Sequence, residues 1–141
     1  MSIRKILVVE DSELLHRMYE LILLPYRRNG SEVLHAYNGR EGLNLLGSNP
    51  DVELIILDIN MPVMSGLEFL RCLQAEDAFK NIPVIIVTTE GKEDDTIRGL
   101  KAGARGYVAK PFQAPDLYRI IERVLPEVSV GTPITQENRG S

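Results

Sequence analysis

Short runs of large apolar residues alternate along the chain with longer stretches in which apolar positions recur at helical spacing. The runs are Ile6 to Val9, Val33 to Ala36, Leu54 to Leu57, Val84 to Val87 and, less pronounced, Tyr107 to Ala109. They are rich in Val, Ile and Leu and lack the polar alternation of a sheet with one wet face. Each therefore reads as a strand buried on both sides, as in a parallel sheet. After Ser12, a natural N-cap, Leu14, Leu15, Met18, Leu21 and Ile22 predict one apolar helix face. Pro25 and then Asn29-Gly30 end that helix. Asn38 followed by Glu41 predicts a capped second helix that stops before Asn49-Pro50. Ser65 followed by Glu68 opens a third, with Leu67, Leu70 and Leu73 in its stripe. A fourth, Lys92 to Ala102, has only Ile97 and Leu100 as large anchors, carries Gly99 and many charges, and is expected to be the least firmly held element. Pro115 stands in the first turn of a fifth, ahead of Leu117, Ile120, Ile121, Val124 and Leu125.

Strict alternation of five strands with five helices implies an α/β fold, a doubly wound parallel sheet with helices on both faces. Right-handed crossovers leave few strand orders, and 2-1-3-4-5, the flavodoxin-like order, is the commonest for this count. Residues 1–126 are read as one domain. Past Pro126 the composition turns to Ser, Gly, Thr, Pro, Gln and Asn, so 127–141 is expected to be an unstructured tail or a truncated linker.

Composition narrows the function classes. A chain of 141 residues with 44% hydrophobic and 26% charged residues is an ordinary globular domain. A net charge of −4 and a pI near 5.2 lack the basic face that nucleic-acid binding needs. The apolar run after the N-terminus is too short for a signal peptide or a membrane span. Cys72 is the sole cysteine, which excludes an internal disulfide and suits a reducing cytoplasm. It is expected to be a small buried hydrophobe. His16 lies off the apolar face of the first helix and is expected to be solvated. His35, in the second strand, is expected to serve packing.

Ligands of such a sheet bind beyond the carboxyl ends of its strands, where strand order reverses. Those ends carry Glu10-Asp11-Ser12, Asp58-Ile59-Asn60, Thr88-Thr89-Glu90 and Lys110-Pro111-Phe112. Three carboxylates from neighbouring strands would crowd together. Two such charges ~4 Å apart repel by about 4 kcal/mol at an effective dielectric near 20, a strain that a cation relieves. Oxygen donors alone point to Mg²⁺. A lysine and a threonine hydroxyl add what a transferring phosphoryl group needs, and a carboxylate is a competent nucleophile for it.

With Asp58-Ile59-Asn60-Met61-Pro62, Gly66, Lys110-Pro111-Phe112, Glu10-Asp11 and Thr88 in order and spacing, the chain from about Ile3 to Leu125 resembles the receiver domain of two-component response regulators, of the chemotaxis-type single-domain kind. The resemblance implies that Asp58 is the phosphoacceptor, charged by the phosphohistidine of a sensor histidine kinase or histidine phosphotransfer protein. It implies that Asp11 and Asp58 hold Mg²⁺ through their side chains, Asn60 through its backbone carbonyl and Glu10 through water. Lys110, before a cis Pro111, would pair with phosphoryl oxygens. Thr88 would donate its hydroxyl, and Tyr107 would follow by turning inward. The surface of the fourth helix, fifth strand and fifth helix would change with them and control a protein partner; phosphorylation-dependent pairing of two copies is left open. Asn60 and Glu90 flank the path of the attacking water in that family, which implies a short-lived phosphoryl state. Thr89 departs from the family's usual Ala, Gly or Ser, and its β-branched side chain is expected to narrow the approach to Asp58.

Other readings carry less of the pattern. A phosphohydrolase with an aspartate nucleophile would place Asp-x-Asp where Glu10-Asp11 stands. A receiver fragment of a larger regulator or hybrid kinase is compatible with the tail. An electron carrier of the same strand order would need a Ser/Thr/Gly-rich loop after the first strand. Beyond its own phosphorylation and dephosphorylation, then, no enzyme is expected.

Overall fold

The computed structural model describes residues 2–61, 64–89 and 91–128. In chain order the elements are β1 (Lys5–Val9), α1 (Glu13–Ile22), α2 (Leu24–Arg28), β2 (Glu32–Ala36), α3 (Gly39–Ser48), β3 (Val52–Asp58), α4 (Gly66–Ala75), β4 (Val84–Thr89), α5 (Glu93–Lys101), β5 (Gly106–Lys110) and α6 (Ala114–Val124). All strand pairs are parallel and the sheet runs β2-β1-β3-β4-β5. The expected order is the observed one.

Period-2 side-chain direction divides each central strand between two cores. Leu7, Val9, Ile55, Leu57, Val84 and Ile86 face Leu46, Phe69, Leu70 and Leu73 on one side. Ile6, Val8, Leu54, Ile56, Ile85 and Val87 face Tyr19, Leu23, Tyr26, Leu117 and Ile121 on the other. The caps lie where the sequence puts them. Asn38 accepts from the Glu41 amide at 2.9 Å, and Ser65 and Glu68 close a reciprocal box at 3.2 and 2.9 Å. At the start of α6 the Asp116 side chain accepts from the Gln113 amide at 3.0 Å, with Pro115 in the first turn.

The first helical stretch is divided, so among the described residues six helices flank the sheet. Pro25 has no amide hydrogen and its ring collides with the preceding turn, so α1 stops at Leu23 and α2 restarts with the proline in its first turn. The buried face of α1 also differs from the expected one. His16, Tyr19 and Leu23 point inward, while Leu14 and Leu21 are 68% and 73% exposed. On α5 the expected anchors Ile97 and Leu100 lie 49% and 39% exposed, and the buried residue is Gly99. A Cβ at Gly99 would stand 2.4 Å from Ile86 Cδ1, so the helix sits on the sheet by backbone contact. Cys72 is half-buried and free. Val128 is buried in the second core, so packing runs past Pro126; residues 129–141, most of the expected tail, lie outside the described residues. Among the described residues no helix is long and apolar enough to cross a membrane.

Candidate functional site

Because the strands are parallel, β1, β3, β4 and β5 deliver their last residues to one edge of the sheet. β3 ends on Asp58, which is paired in register with Val87, so Thr88 is the next residue along β4, and Thr89 pairs with Lys110. Asp58 and Glu10 are buried and Asp11 is exposed. One carboxylate oxygen of each lies within 4.8 Å of the other two. Lys110 reaches into this group with its Nζ 3.4 Å from Asp58 Oδ2 and 3.6 Å from Glu10 Oε1. The bond between Lys110 and Pro111 is cis.

The loop after β3 is shaped around the carboxylate. Asp58 Oδ1 accepts from the Asn60 amide at 3.0 Å, and Gly66 donates its amide to the Ile59 carbonyl at 3.1 Å. A Cβ on Gly66 would fall 2.5 Å from Ile59 Cα and 2.8 Å from the Asp58 carbonyl oxygen, so only glycine lets α4 begin this close. Met61 is buried and Met64 packs on the same core, filling space beside the loop.

Glu10 accepts from the Ser12 amide through Oε2 at 3.0 Å, while its buried Oε1 has no hydrogen-bond donor among the described residues. Burial, reinforced by the charge of Asp58, pushes its carboxyl from 4.5 up to about 7. A fold holds such a group at neutral pH when a cation completes it. The donors are carboxylate oxygens, the outer one is open to solvent, and an orphaned oxygen faces the cluster. This set fits a hard divalent cation that retains several waters, as Mg²⁺ does.

The remaining expected site residues surround this mouth. Asn60 is exposed beside it. Thr88 is buried, and its hydroxyl accepts from Thr96 of α5 at 3.2 Å. Tyr107 is 47% exposed. Between them a cleft of about 440 Å³ is bordered by Thr88, Thr96, Ile97, Leu100, Tyr107 and Ala109. Thr89 is exposed and lines a separate apolar cleft of about 450 Å³ with Leu15, Met18, Ile22, Pro111 and Phe112. Glu90 lies outside the described residues.

Two features escaped the sequence. Thr96 carried no signal beyond being one more polar residue on a charged helix. His16, expected in solvent, is buried: its Nε2 donates to the Glu10 carbonyl at 2.6 Å and lies 3.1 Å from that of Ala36. Its Nδ1 meets His35 Nδ1 at 2.6 Å, and His35 Nε2 pairs with Glu20. Burial holds the His16 imidazole below its ordinary value and so in the neutral form. His35 thus links two elements in a polar network that fixes the backbone of Glu10.

Three comparisons place this geometry among known proteins. Residues 6–122 match the family model of the response regulator receiver domain. A chemotaxis protein CheY homolog of Campylobacter jejuni is 41% identical over 121 residues, covering 86% of this chain and 92% of that protein. Chemotaxis protein CheY1 of Helicobacter pylori is 40% identical over the same length, covering 86% and 96%. The crystal structure of Vibrio cholerae chemotaxis protein CheY4 superposes with a TM-score of 0.77 at 33% identity, covering 87% of this chain and 99% of that one.

Proposed function

Because this chain belongs to the response regulator receiver domain family, we propose that it is a phosphorylation-dependent signalling switch in which Asp58 carries the phosphoryl group. The observation that carries the reading is the single lysine ammonium set between two buried carboxylates, with a third carboxylate within reach of both.

Asp11 and Asp58 would hold Mg²⁺ by their side chains, Asn60 by its backbone carbonyl and Glu10 through water. The ion, when bound, neutralises phosphoryl oxygens and aligns the incoming group. An Asp58 oxygen attacks the phosphorus of a phosphohistidine on a sensor kinase or phosphotransfer protein. The phosphorus–nitrogen bond breaks as the phosphorus–oxygen bond forms, and the imidazole leaves. Lys110 turns from the Asp58 carboxylate to a phosphoryl oxygen, where charge has accumulated. Thr88 donates its hydroxyl to another, and Tyr107 turns from solvent into the cleft beside Thr88. The α5–β5–α6 surface, which corresponds to the fourth helix, fifth strand and fifth helix expected from the sequence, changes shape and alters affinity for a protein partner. Water then attacks phosphorus, releasing inorganic phosphate and restoring the carboxylate; Asn60 and Glu90 are the residues the family resemblance assigns to tuning this step. The chain would act on itself rather than on an external substrate, in the cytoplasm, as a receiver domain whose packing runs past Pro126 to Val128.

Intact-mass spectrometry tests this after incubation with a small acyl phosphate and Mg²⁺. One labile phosphoryl adduct is expected, absent from Asp58→Asn and suppressed by a chelator. Loss of the adduct should be fast once the donor is removed. An adduct that forms equally on Asp58→Asn, or persists for many hours, contradicts the reading.

A further inference from the structure

Thr88 is 1% exposed, yet its hydroxyl is turned toward α5. The described hydrogen-bond partners of the Asp58 carboxylate are Lys110 and the Asn60 amide. The Thr88 hydroxyl instead meets Thr96 Oγ1 at 3.2 Å. Among the described residues helix α5 has few other side-chain holds on the sheet, although the amide of its N-cap residue Lys92 donates to the Thr89 carbonyl at 3.0 Å. Its large apolar residues Ile97 and Leu100 are exposed, its N-cap residue Lys92 makes no side-chain cap, and it rests on Ile86 and Ile59 through Gly99. The hydroxyl-to-hydroxyl bond is therefore the described side-chain hydrogen bond that ties the body of this helix to the end of β4.

The tie is built to be exchanged. Thr96 Oγ1 also lies 3.5 Å from the Lys92 carbonyl, one turn back on its own helix. A threonine in a helix readily gives its proton to that carbonyl. If Thr88 swings away, Thr96 keeps an acceptor and leaves no orphaned donor behind. Movement of Thr88 then costs the one hydrogen bond between the two threonines and leaves no unpaired donor on α5, and the cleft bordered by Thr88, Thr96 and Tyr107 gains a free wall.

We propose that Thr96 is a positioning residue: by donating to the Thr88 oxygen it latches that side chain toward α5 in the unmodified protein, so that helix and phosphoryl group compete for the orientation of one hydroxyl. This rests on the assignment of Asp58 as phosphoacceptor and Thr88 as donor to the phosphoryl group. Release of the latch removes the side-chain tie between α5 and Thr88, which couples the helix to the acceptor site. The latch lowers phosphoryl affinity in the resting state and sets the threshold at which the surface changes.

The test uses the full chain with Mg²⁺ and beryllium fluoride, a tetrahedral phosphoryl mimic, with bound fluoride followed by fluorine NMR. Thr96→Val keeps the branched shape and removes the hydroxyl, so it should bind the mimic about two- to tenfold more tightly, the range set by one neutral hydrogen bond. Thr96→Ser should restore the wild-type affinity, because it restores the hydroxyl. In a Thr88→Ala background the Thr96→Val gain should vanish. An unchanged or weaker affinity in Thr96→Val, or an equal gain without Thr88, overturns the latch while leaving the Asp58 assignment standing. Absence of beryllium fluoride binding in the wild type would overturn that assignment and the latch with it.

Discussion

Replacing Glu10 by glutamine should stabilise the metal-free protein at alkaline pH and weaken its response to Mg²⁺. Glu10 is 1% exposed, with one carboxylate oxygen lacking a hydrogen bond among the described residues, and its carboxyl is raised from 4.5 to about 7 by burial and by Asp58. The folded state thus holds this proton more tightly than the unfolded chain. The corresponding stability is present in full below pH 4.5 and is lost as pH rises through about 7. That displacement corresponds to about 3 kcal/mol, an upper value for a group the structure can relax around. A glutamine side chain there would stay neutral and could still accept from the Ser12 amide. At pH 8 with a chelator, Glu10→Gln should therefore exceed the wild type by roughly 2 kcal/mol in urea unfolding followed by circular dichroism, and the difference should shrink toward pH 5. Millimolar Mg²⁺ should reverse the order, since the wild type gains more from binding a cation to the folded state. Comparing the two proteins at each pH removes the opposing contribution of His16, which both share. A variant less stable than the wild type at pH 8 without metal, or a gap that does not depend on pH, would refute this.

Two further predictions concern the groups that frame the site. His16, held neutral by burial, contributes stability above pH 6.5 that is lost as pH falls through its lowered value, so an NMR titration of its ring should give a midpoint below 6.5; a midpoint at or above that value contradicts the buried network. Gly66→Ala would drive a Cβ into the Ile59 and Asp58 backbone, and should cost about 3 kcal/mol or more of stability and impair phosphoryl uptake; urea unfolding at wild-type midpoint would show that the loop has room to yield.

The central strands were readable because burial on both faces removes polar alternation, leaving Ile6 to Val9 and Leu54 to Leu57 as unbroken apolar runs. The meeting of Glu10, Asp11, Asp58 and Lys110 followed from parallel strands alone, since every carboxyl end then lies on one edge. Helix rotation did not follow. Periodicity put Leu14, Met18 and Leu21 inward, but the inner face of α1 is taken by His16 and Tyr19. A histidine is buried only if partners wait for it, and those partners are the Glu10 carbonyl just past β1 and, from β2, His35 and the Ala36 carbonyl. Apolar period cannot register a polar contact of that kind. The same blindness hid Thr96, whose importance lies in a single hydroxyl from a neighbouring strand, and misplaced Ile97 and Leu100, which stay exposed because Gly99 brings the backbone of α5 down to the sheet. Pro25 was read as a terminator. It also fits the first turn of a new helix, and that second role explains α2.

The central claim is that the buried carboxylate at the end of β3 accepts the phosphoryl group. Borohydride reduction after treatment with a phosphoryl donor and Mg²⁺ converts an aspartyl phosphate to homoserine, and peptide sequencing by mass spectrometry locates the change. Homoserine at position 58, dependent on donor and metal, is the predicted result. Homoserine at position 11, or an unaltered Asp58 in a chain that carries phosphate elsewhere, would contradict it.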